Sequence, residues 1–195
     1  RRVIAMTRML IIGPPGAGKG TQAARISDRL GVTAISTGDI FRANVKNQTP
    51  LGLEAKKYID AGNFVPDSVT NDMVRARLLE DDVAEGFLLD GYPRTAAQVR
   101  ELDDILASKG QKLDVVLQLT ADDEELVQRL LKRAEIEGRA DDNEDVIRHR
   151  LDLYKAQTAD VVASYDSRGI VARVDGLGGI DDVTERVMEV LKDIS

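Results

Sequence analysis

Residues 13–21 read GPPGAGKGT and follow a short apolar run, MLII, at residues 9–12. The spacing G-x-x-x-x-G-K is that of a loop whose backbone N–H groups surround phosphate oxygens, with the N-terminus of the next helix adding a positive dipole. A plain Gly/Pro turn with an exposed lysine is the alternative. The position between a predicted strand and a predicted helix favours a phosphate-binding loop in which Lys19 reaches the outer phosphates of a nucleotide.

Gly20 occupies the position at which most such loops carry the serine or threonine that contacts magnesium. Switch-type GTPases and motion-coupled ATPases normally need that hydroxyl. Thr21, one residue later, can still donate to a phosphate oxygen, and Asp90 ends a predicted strand. We therefore expect magnesium to be held mainly by phosphates and water, with Asp90 as its acid.

The composition is that of an ordinary soluble domain, with 43% hydrophobic and 31% charged residues in 195 positions. The formal net charge is −7, so the surface as a whole repels nucleic acid and anionic membranes. The absence of cysteine excludes disulfides and cysteine-based zinc sites, and the apolar run at residues 9–12 is too short for a secretory signal. We expect a cytoplasmic monomer without nucleic-acid or membrane partners.

Short apolar runs alternate with longer amphipathic segments, which predicts βαβ units around a parallel sheet. The predicted strands are residues 9–12, 33–36, 87–90, 115–119 and 171–174. The predicted helices are residues 19–30, 38–46, 51–60, 68–79, 96–108, 123–134, 144–168 and 180–194. Residues 134–143 are predicted to be a loop-like flap. The fold class is thus α/β, a three-layer P-loop NTPase-like fold with a five-stranded parallel sheet flanked by helices.

Two further polar stretches, STGDIFR at residues 36–42 and DGYPRTAAQ at residues 90–98, begin at the carboxyl ends of predicted strands. Parallel α/β sheets bind ligands beyond those ends. Arg94 and Gln98 are four residues apart and share a helix face, so an arginine for phosphate and an amide for an adenine edge lie together. The alternative for Gln98 is a solvent-exposed helix residue.

Arginines recur in the second half of the chain. For each one, a weak surface ion pair with a nearby acid is the alternative to a functional role. The set as a whole favours a polyphosphate site, because a net-acidic chain needs a local cluster of cations to attract one. The cations of this set are Lys19, Arg42, Arg94, Arg129, Arg133, Arg139 and Arg150.

Five motifs together resemble the adenylate kinase family in order and spacing: GPPGAGKGTQ, ISTGDIFR, AGNFVPD, GFLLDGYPR followed by Gln98, and GRADDNEDVIRHR. The resemblance extends from Met9 to the C-terminal helix, and GKGT is the form of the loop in these kinases. It implies a single nucleoside monophosphate kinase domain over residues 1–195. The core would be residues 1–35, 66–133 and 140–195, with a helical AMP-binding flap at about 36–65. Only residues 134–138 separate Arg133 from Arg139, which resembles the short-lid form of the family, with the lid at about 134–139. Longer lids in the family sometimes carry a four-cysteine zinc site, so the resemblance to the short form implies no zinc.

The resemblance also implies roles for individual residues. The ATP site would comprise Gly16, Ala17, Gly18, Lys19, Gly20, Thr21, Arg129, Arg133 and Gly178, the last supporting adenine through its backbone. The AMP site would comprise Thr37, Arg42, Asn63, Phe64, Val65, Gly91, Tyr92, Pro93, Arg94, Gln98, Arg139 and Arg150. The catalytic residues would be Lys19, Arg94, Arg133, Arg139 and Arg150, with Asp90 holding magnesium through water.

The reaction that the resemblance implies is MgATP + AMP = 2 ADP by direct in-line transfer of the γ-phosphoryl group, with Mg²⁺ as cofactor and ATP, AMP and ADP as partners. A phosphate acceptor is mostly ionised near neutral pH, since its second pKa is about 6, so no general base is required. His149, the only histidine, is expected to be a solvated helix residue. The alternatives are a UMP/CMP kinase of the same fold, disfavoured by Thr37 and Gln98, and a non-catalytic nucleotide-gated switch.

Overall fold

A sheet of five parallel strands forms the centre of the protein, as seen in a computed structural model that describes residues 7–138 and 143–193. Its order is β2-β3-β1-β4-β5, and each neighbouring pair is parallel. The strands are β1 (Arg8–Ile12), β2 (Thr33–Ser36), β3 (Phe87–Asp90), β4 (Val115–Thr120) and β5 (Val171–Asp175). The predicted five-stranded parallel sheet is confirmed.

Helices cover both faces of the sheet. Alternate residues along β1, β3 and β4 enter two separate hydrophobic clusters: Leu10 and Leu89 belong to one, Met9 and Leu88 to the other. Strands buried on both faces read as continuous apolar runs, as FLL in β3 does. The helices are α1 (Lys19–Leu30), α2 (Thr37–Lys46), α3 (Pro50–Asp60), α4 (Asp67–Leu78), α5 (Ala96–Ala107), α6 (Asp123–Glu137), α7 (Glu144–Asp166) and α8 (Ile180–Leu191), with a 3₁₀ turn at Asp81–Val83.

The topology places a crevice between β1 and β3. Helix α1, which follows β1, packs into one hydrophobic cluster, whereas α5, which follows β3, packs into the other. Adjacent strands whose connections leave to opposite faces define a switch point, and ligands bind there in open α/β sheets. The phosphate-loop sequence follows β1, and the stretch from Asp90 to Gln98 follows β3, so both predicted motifs meet at this crevice.

Helix α6 is longer than the sequence analysis predicts. It continues to Glu137, so the prediction of a loop from residue 134 is wrong for residues 134–137. Ala134 and Glu135 are good helix formers, and the helix ends where Gly138 adopts φ 68° as a left-handed C-cap. Helix α8 ends at Leu191, three residues before the predicted end, and the other element ends agree to within two residues. In the described ranges, none of the helices is long and apolar enough to cross a membrane.

Helices α2 and α3 approach each other closely at Gly52. A Cβ atom at Gly52 would lie 2.0 Å from the backbone oxygen of Asn44 and 2.4 Å from its carbonyl carbon. The contact is fixed locally, because the Thr49 hydroxyl caps α3 by accepting from the Gly52 N–H (3.0 Å) and also donates to Asn44 Oδ1 (2.6 Å). Only glycine permits this packing of the two helices.

We expect Gly52→Ala to lower the free energy of unfolding by about 2–3 kcal/mol, because backbone must move to admit the methyl group. Urea denaturation measures the change. Glu54→Ala, at an exposed position of the same helix, is the control and should change stability by less than about 0.5 kcal/mol. Wild-type stability of Gly52→Ala would show that the α2–α3 packing is not as close as described.

Candidate functional site

Three neighbouring pockets lie at the carboxyl ends of the strands. The central pocket, of about 620 Å³, is lined by the phosphate loop, the segment from Asp90 to Arg94, and helix α7. The α8 pocket, of about 460 Å³, lies between the phosphate loop, α6 and the start of α8. The flap pocket, of about 420 Å³, lies between α2, α4 and the start of α5. The central pocket shares Gly16 and Arg133 with the α8 pocket, and shares Gly91 and Arg94 with the flap pocket.

The phosphate loop has the backbone geometry that anion binding requires. Gly16 and Gly18 adopt φ angles of 87° and 78°, in the left-handed region that favours glycine. Gly18 is the N-cap of α1 and brings no side chain to the N–H groups that open this helix. A Cβ atom at Gly16 would lie 3.1 Å from Leu130 Cγ, so the loop also packs tightly on α6. Backbone donors and a helix N-terminus thus face one pocket.

Lys19 and Asp90 form an ion pair across the switch point. The Nζ atom of Lys19, the first residue of α1, contacts Oδ1 of Asp90, the last residue of β3. Both side chains are partly buried and line the central pocket together with Thr21. A phosphate entering the loop would compete with Asp90 for the ammonium group of Lys19.

Asp90 is also the carboxylate that fits a magnesium ion. Mg²⁺ is typically held by one or two carboxylates, substrate phosphates and water, not by a cage of protein ligands. Within residues 7–138 and 143–193, no group of three or more His, Cys, Asp or Glu side chains gathers as such a cage. Asp90 is the one carboxylate among the described residues that line the central pocket, so it is the residue that could hold magnesium there.

Arg94 stands at the border between the central and flap pockets. Its Nε donates to the carbonyl of Gly91 at 3.0 Å. Gly91 has φ 94°, and a Cβ atom there would lie 2.4 Å from Thr37 Oγ1. The peptide bond between Tyr92 and Pro93 is cis, and the buried Tyr92 hydroxyl donates to Asn71 at 2.7 Å. Burial raises the pKa of the Tyr92 phenol, which therefore stays neutral.

Gln98 is buried, with 5% of its surface exposed, so it is not the solvated helix residue that was the alternative in the sequence analysis. The side-chain Oε1 of Gln98 accepts from the backbone N–H of Arg94 at 2.8 Å. The backbone N–H of Gln98 donates to the capping hydroxyl of Thr95. The side chain lines the flap pocket, as does Thr37. Only one lone pair of Oε1 is used by this bond, so Gln98 could pair with a base through its amide nitrogen and through the second lone pair of Oε1.

Other residues predicted for the AMP site are only partly brought together. Arg42 lines the flap pocket and forms an ion pair with Asp39, whose pKa the guanidinium lowers by hydrogen bonding. Asn63, Phe64 and Val65 lie in the connection between α3 and α4, outside the set of described residues that line that pocket. Phe64 is 98% exposed, whereas Val65 packs against the core.

The predicted arginines of the second half divide between two pockets. Arg133, on α6, lines both the central and the α8 pockets, and Arg150, on α7, lines the central pocket. Arg129 bridges the phosphate loop and the loop before α8, because it donates to the carbonyls of Gly16 at 3.2 Å and Gly178 at 3.4 Å. Arg139 lies outside the described residues.

Several pocket residues were missed by the sequence analysis. Leu153, Tyr154 and Gln157 follow Arg150 at helical spacing on α7 and line the central pocket with it. That spacing was the signal that could have identified them. Burial raises the pKa of the Tyr154 phenol. His149 is exposed, as expected, and does not line any of the three pockets that the described residues form.

The fold and the site together define a P-loop protein built to hold phosphorylated nucleosides. A glycine-rich loop opens a helix at a switch point, and a lysine and arginines surround the adjacent pocket.

Comparison with known proteins specifies the class further. A sequence model of the family described as "Adenylate kinase" matches residues 11–170. Proteins called adenylate kinase from Pseudarthrobacter chlorophenolicus, Kocuria rhizophila and Renibacterium salmoninarum are 74%, 73% and 72% identical to this chain. The alignments cover 96%, 96% and 95% of this chain and 97%, 100% and 96% of those proteins, in the same order. The chain belongs to the adenylate kinase family.

We expect Gly91→Ala to weaken AMP binding at least about tenfold, since the methyl group would be forced against Thr37 in the flap pocket. Gly110→Ala is the matched control, because Gly110 also has a positive φ of 68° but open space around its Cβ position. Both variants should lose about 1–2 kcal/mol of stability from the left-handed backbone, and only Gly91→Ala should lose affinity in calorimetric titration with AMP. Equal affinities in the two variants would contradict the expectation that AMP binds beside Gly91.

Proposed function

We propose that this chain catalyses the reversible transfer of the γ-phosphoryl group of ATP to AMP, which yields two molecules of ADP. The observation that carries the proposal is the adjacency of the three pockets, which share lining residues. The phosphate loop borders the α8 pocket and the central pocket, and Arg94 borders the central pocket and the flap pocket. Two nucleotides can therefore lie end to end, with their phosphates meeting among cations.

The donor, ATP, would place its phosphates on the loop from Gly16 to Thr21 and its base in the α8 pocket. Lys19 would exchange Asp90 for a phosphate oxygen, which keeps the ammonium paired in both states. Arg129 and Arg133 line the α8 pocket and would contact the donor from α6, while the backbone of Gly178 supports adenine.

The acceptor, AMP, would occupy the flap pocket. Gln98 and Thr37 would contact the base, while Arg42 and Arg94 would hold the phosphate. The backbone from Gly91 to Pro93 would complete the wall. Asn63, Phe64 and Val65 remain proposed contacts that require the flap to close, since they lie apart from the pocket in this structure.

The chemical step needs positioning and charge neutralisation. An ionised oxygen of the AMP phosphate attacks the γ-phosphorus in line, and the bond from that phosphorus to the bridging oxygen of ADP breaks. No proton has to be removed from the acceptor, which fits a central pocket without a histidine among its described lining residues. The cationic side chains neutralise charge on the transferring group. Those proposed for this role are Lys19, Arg94, Arg133, Arg139 and Arg150.

Magnesium is the proposed cofactor, held through water by Asp90 and directly by the phosphates. When bound it neutralises phosphate charge and orients the nucleotide. We propose no zinc, since the sequence has no cysteine to form a cysteine-based zinc site.

We further propose a short lid at about residues 134–139. We also propose that the enzyme works as a cytoplasmic monomer without nucleic-acid or membrane partners. The net charge of −7 supports the absence of those two partners.

We expect Arg94→Ala to lower kcat for ADP formation by about a thousandfold, the magnitude that a cation aimed at a transferring phosphoryl group can contribute. A coupled assay measures the loss, and circular dichroism verifies the fold. Arg100→Ala is the control, since Arg100 is an exposed arginine on α5, the helix that begins just after Arg94. Turnover of Arg94→Ala close to that of the control would show that Arg94 has no role in the transfer.

We expect AMP to be the preferred acceptor, with kcat/KM at least about a hundredfold above those for CMP, UMP and GMP, because a buried amide discriminates strongly between base edges. The same assay, run with each monophosphate and with and without magnesium, measures it. A preference for UMP or CMP would replace the proposal with a pyrimidine nucleotide kinase. The absence of turnover without a protein partner would favour a nucleotide-gated switch.

A further inference from the structure

A buried polar network joins helix α1 to helix α8. Gln22 and Thr184 are 3% and 0% exposed, although both are polar. The Thr184 hydroxyl lies 2.7 Å from Gln22 Oε1, to which it donates, and accepts from Arg25 Nε at 2.9 Å. Gln22 Nε2 donates to the carbonyl of Ile180 at 3.1 Å. The partners are about 160 residues apart in the chain, so this is a tertiary contact between two elements.

The network lies between the two loops that would hold opposite ends of the donor nucleotide. Gln22 follows Thr21 in the first turn of α1, directly after the phosphate loop, and lines the α8 pocket. Ile180 is the first residue of α8 and comes directly after the loop of residues 176–179, which contains Gly178. Thr184 is not among the described residues that line the pocket, so it acts only through its partners.

Beside this network, the two helices are joined by two exposed ion pairs, Arg25 with Asp181 and Arg29 with Glu185, and by apolar packing. Exposed ion pairs are weak. Ile26 and Leu30 of α1 share one hydrophobic cluster with Val183 and Val187 of α8. Apolar packing tolerates small shifts between helices, whereas a buried hydrogen-bonded pair is satisfied in only one register. The network therefore fixes the separation between the phosphate loop and the loop before α8.

We propose that Gln22 and Thr184 are positioning residues for the base of the nucleoside triphosphate donor. They hold the loop of residues 176–179 at the distance from the phosphate loop that one nucleotide spans. The inference rests on the proposed function, in which the α8 pocket receives the donor base. Gln22 and Thr184 would therefore affect the binding of donors that carry a base and would not affect the binding of AMP.

The test is Thr184→Val, which keeps the shape of the side chain and removes the hydroxyl, so that Gln22 Oε1 loses its partner in a buried place. We expect KM for ATP to rise about tenfold, with kcat and KM for AMP unchanged. Thr184→Ser should restore the wild-type KM for ATP. In calorimetric titrations, Thr184→Val should bind inorganic tripolyphosphate, which has no base, as tightly as the wild type does.

The matched control is Thr33→Val. The Thr33 hydroxyl donates to the carbonyl of Asp82 at 2.9 Å, and Thr33 is the first residue of β2, so the same chemical change falls at the opposite end of a strand from the pockets. It should alter stability and neither KM. The inference is overturned if Thr184→Val leaves KM for ATP at the wild-type value, or if affinities for ATP and tripolyphosphate fall together. A wild-type protein without ATP–AMP transfer would instead refute the proposed function.

Discussion

The parallel pairing of β1 with β3 is the constraint on which the rest of the site depends. In this pairing Ile11 is opposite Asp90, so the phosphate loop and the loop that begins at Asp90 leave the sheet side by side. The helices that follow the two strands pack on opposite faces, which opens the crevice between them. The ion pair of Lys19 with Asp90 and the position of Arg94 between two pockets both follow from this single register.

The positive charge that would bind phosphates is concentrated in the pockets and is opposite in sign to the net charge of the molecule. The chain carries a net charge of −7, yet the pockets are lined by lysine and arginine side chains. Among these cations, Lys19 is paired with the protein's own Asp90, and Arg42 with Asp39. A phosphate therefore replaces an existing partner instead of meeting an unpaired charge, so binding is an exchange of ion pairs. Such an exchange limits the cost of holding like charges together in the empty site.

Much of the fold followed from the sequence, because short continuous apolar runs indicate buried strands and longer amphipathic segments indicate helices. The end of α6 did not, since residues 134–137 (AEIE) suit a helix as well as a loop, and the C-cap at Gly138 depends on its left-handed backbone. Within the site, the loop motif was found from local spacing. Arg94 and Gln98 do lie together, but the predicted shared helix face is wrong, because α5 begins at Ala96 and Arg94 precedes it. The burial of Gln98 depends on a hydrogen bond to the Arg94 backbone, which spacing alone does not reveal.

The contacts that escaped sequence reasoning are those made across long separations. The contact between Gln22 and Thr184 joins residues that are 162 positions apart in the chain, so no local pattern indicates it.

The central claim is that two nucleotides lie end to end among fixed cations. A crystal structure with a bisubstrate mimic, in which one polyphosphate chain joins two adenosines, tests it most directly. The account predicts phosphate contacts from Lys19, Arg94, Arg133 and Arg150, with Lys19 withdrawn from Asp90. Guanidinium groups turned to bulk solvent, with the phosphates elsewhere, would contradict it.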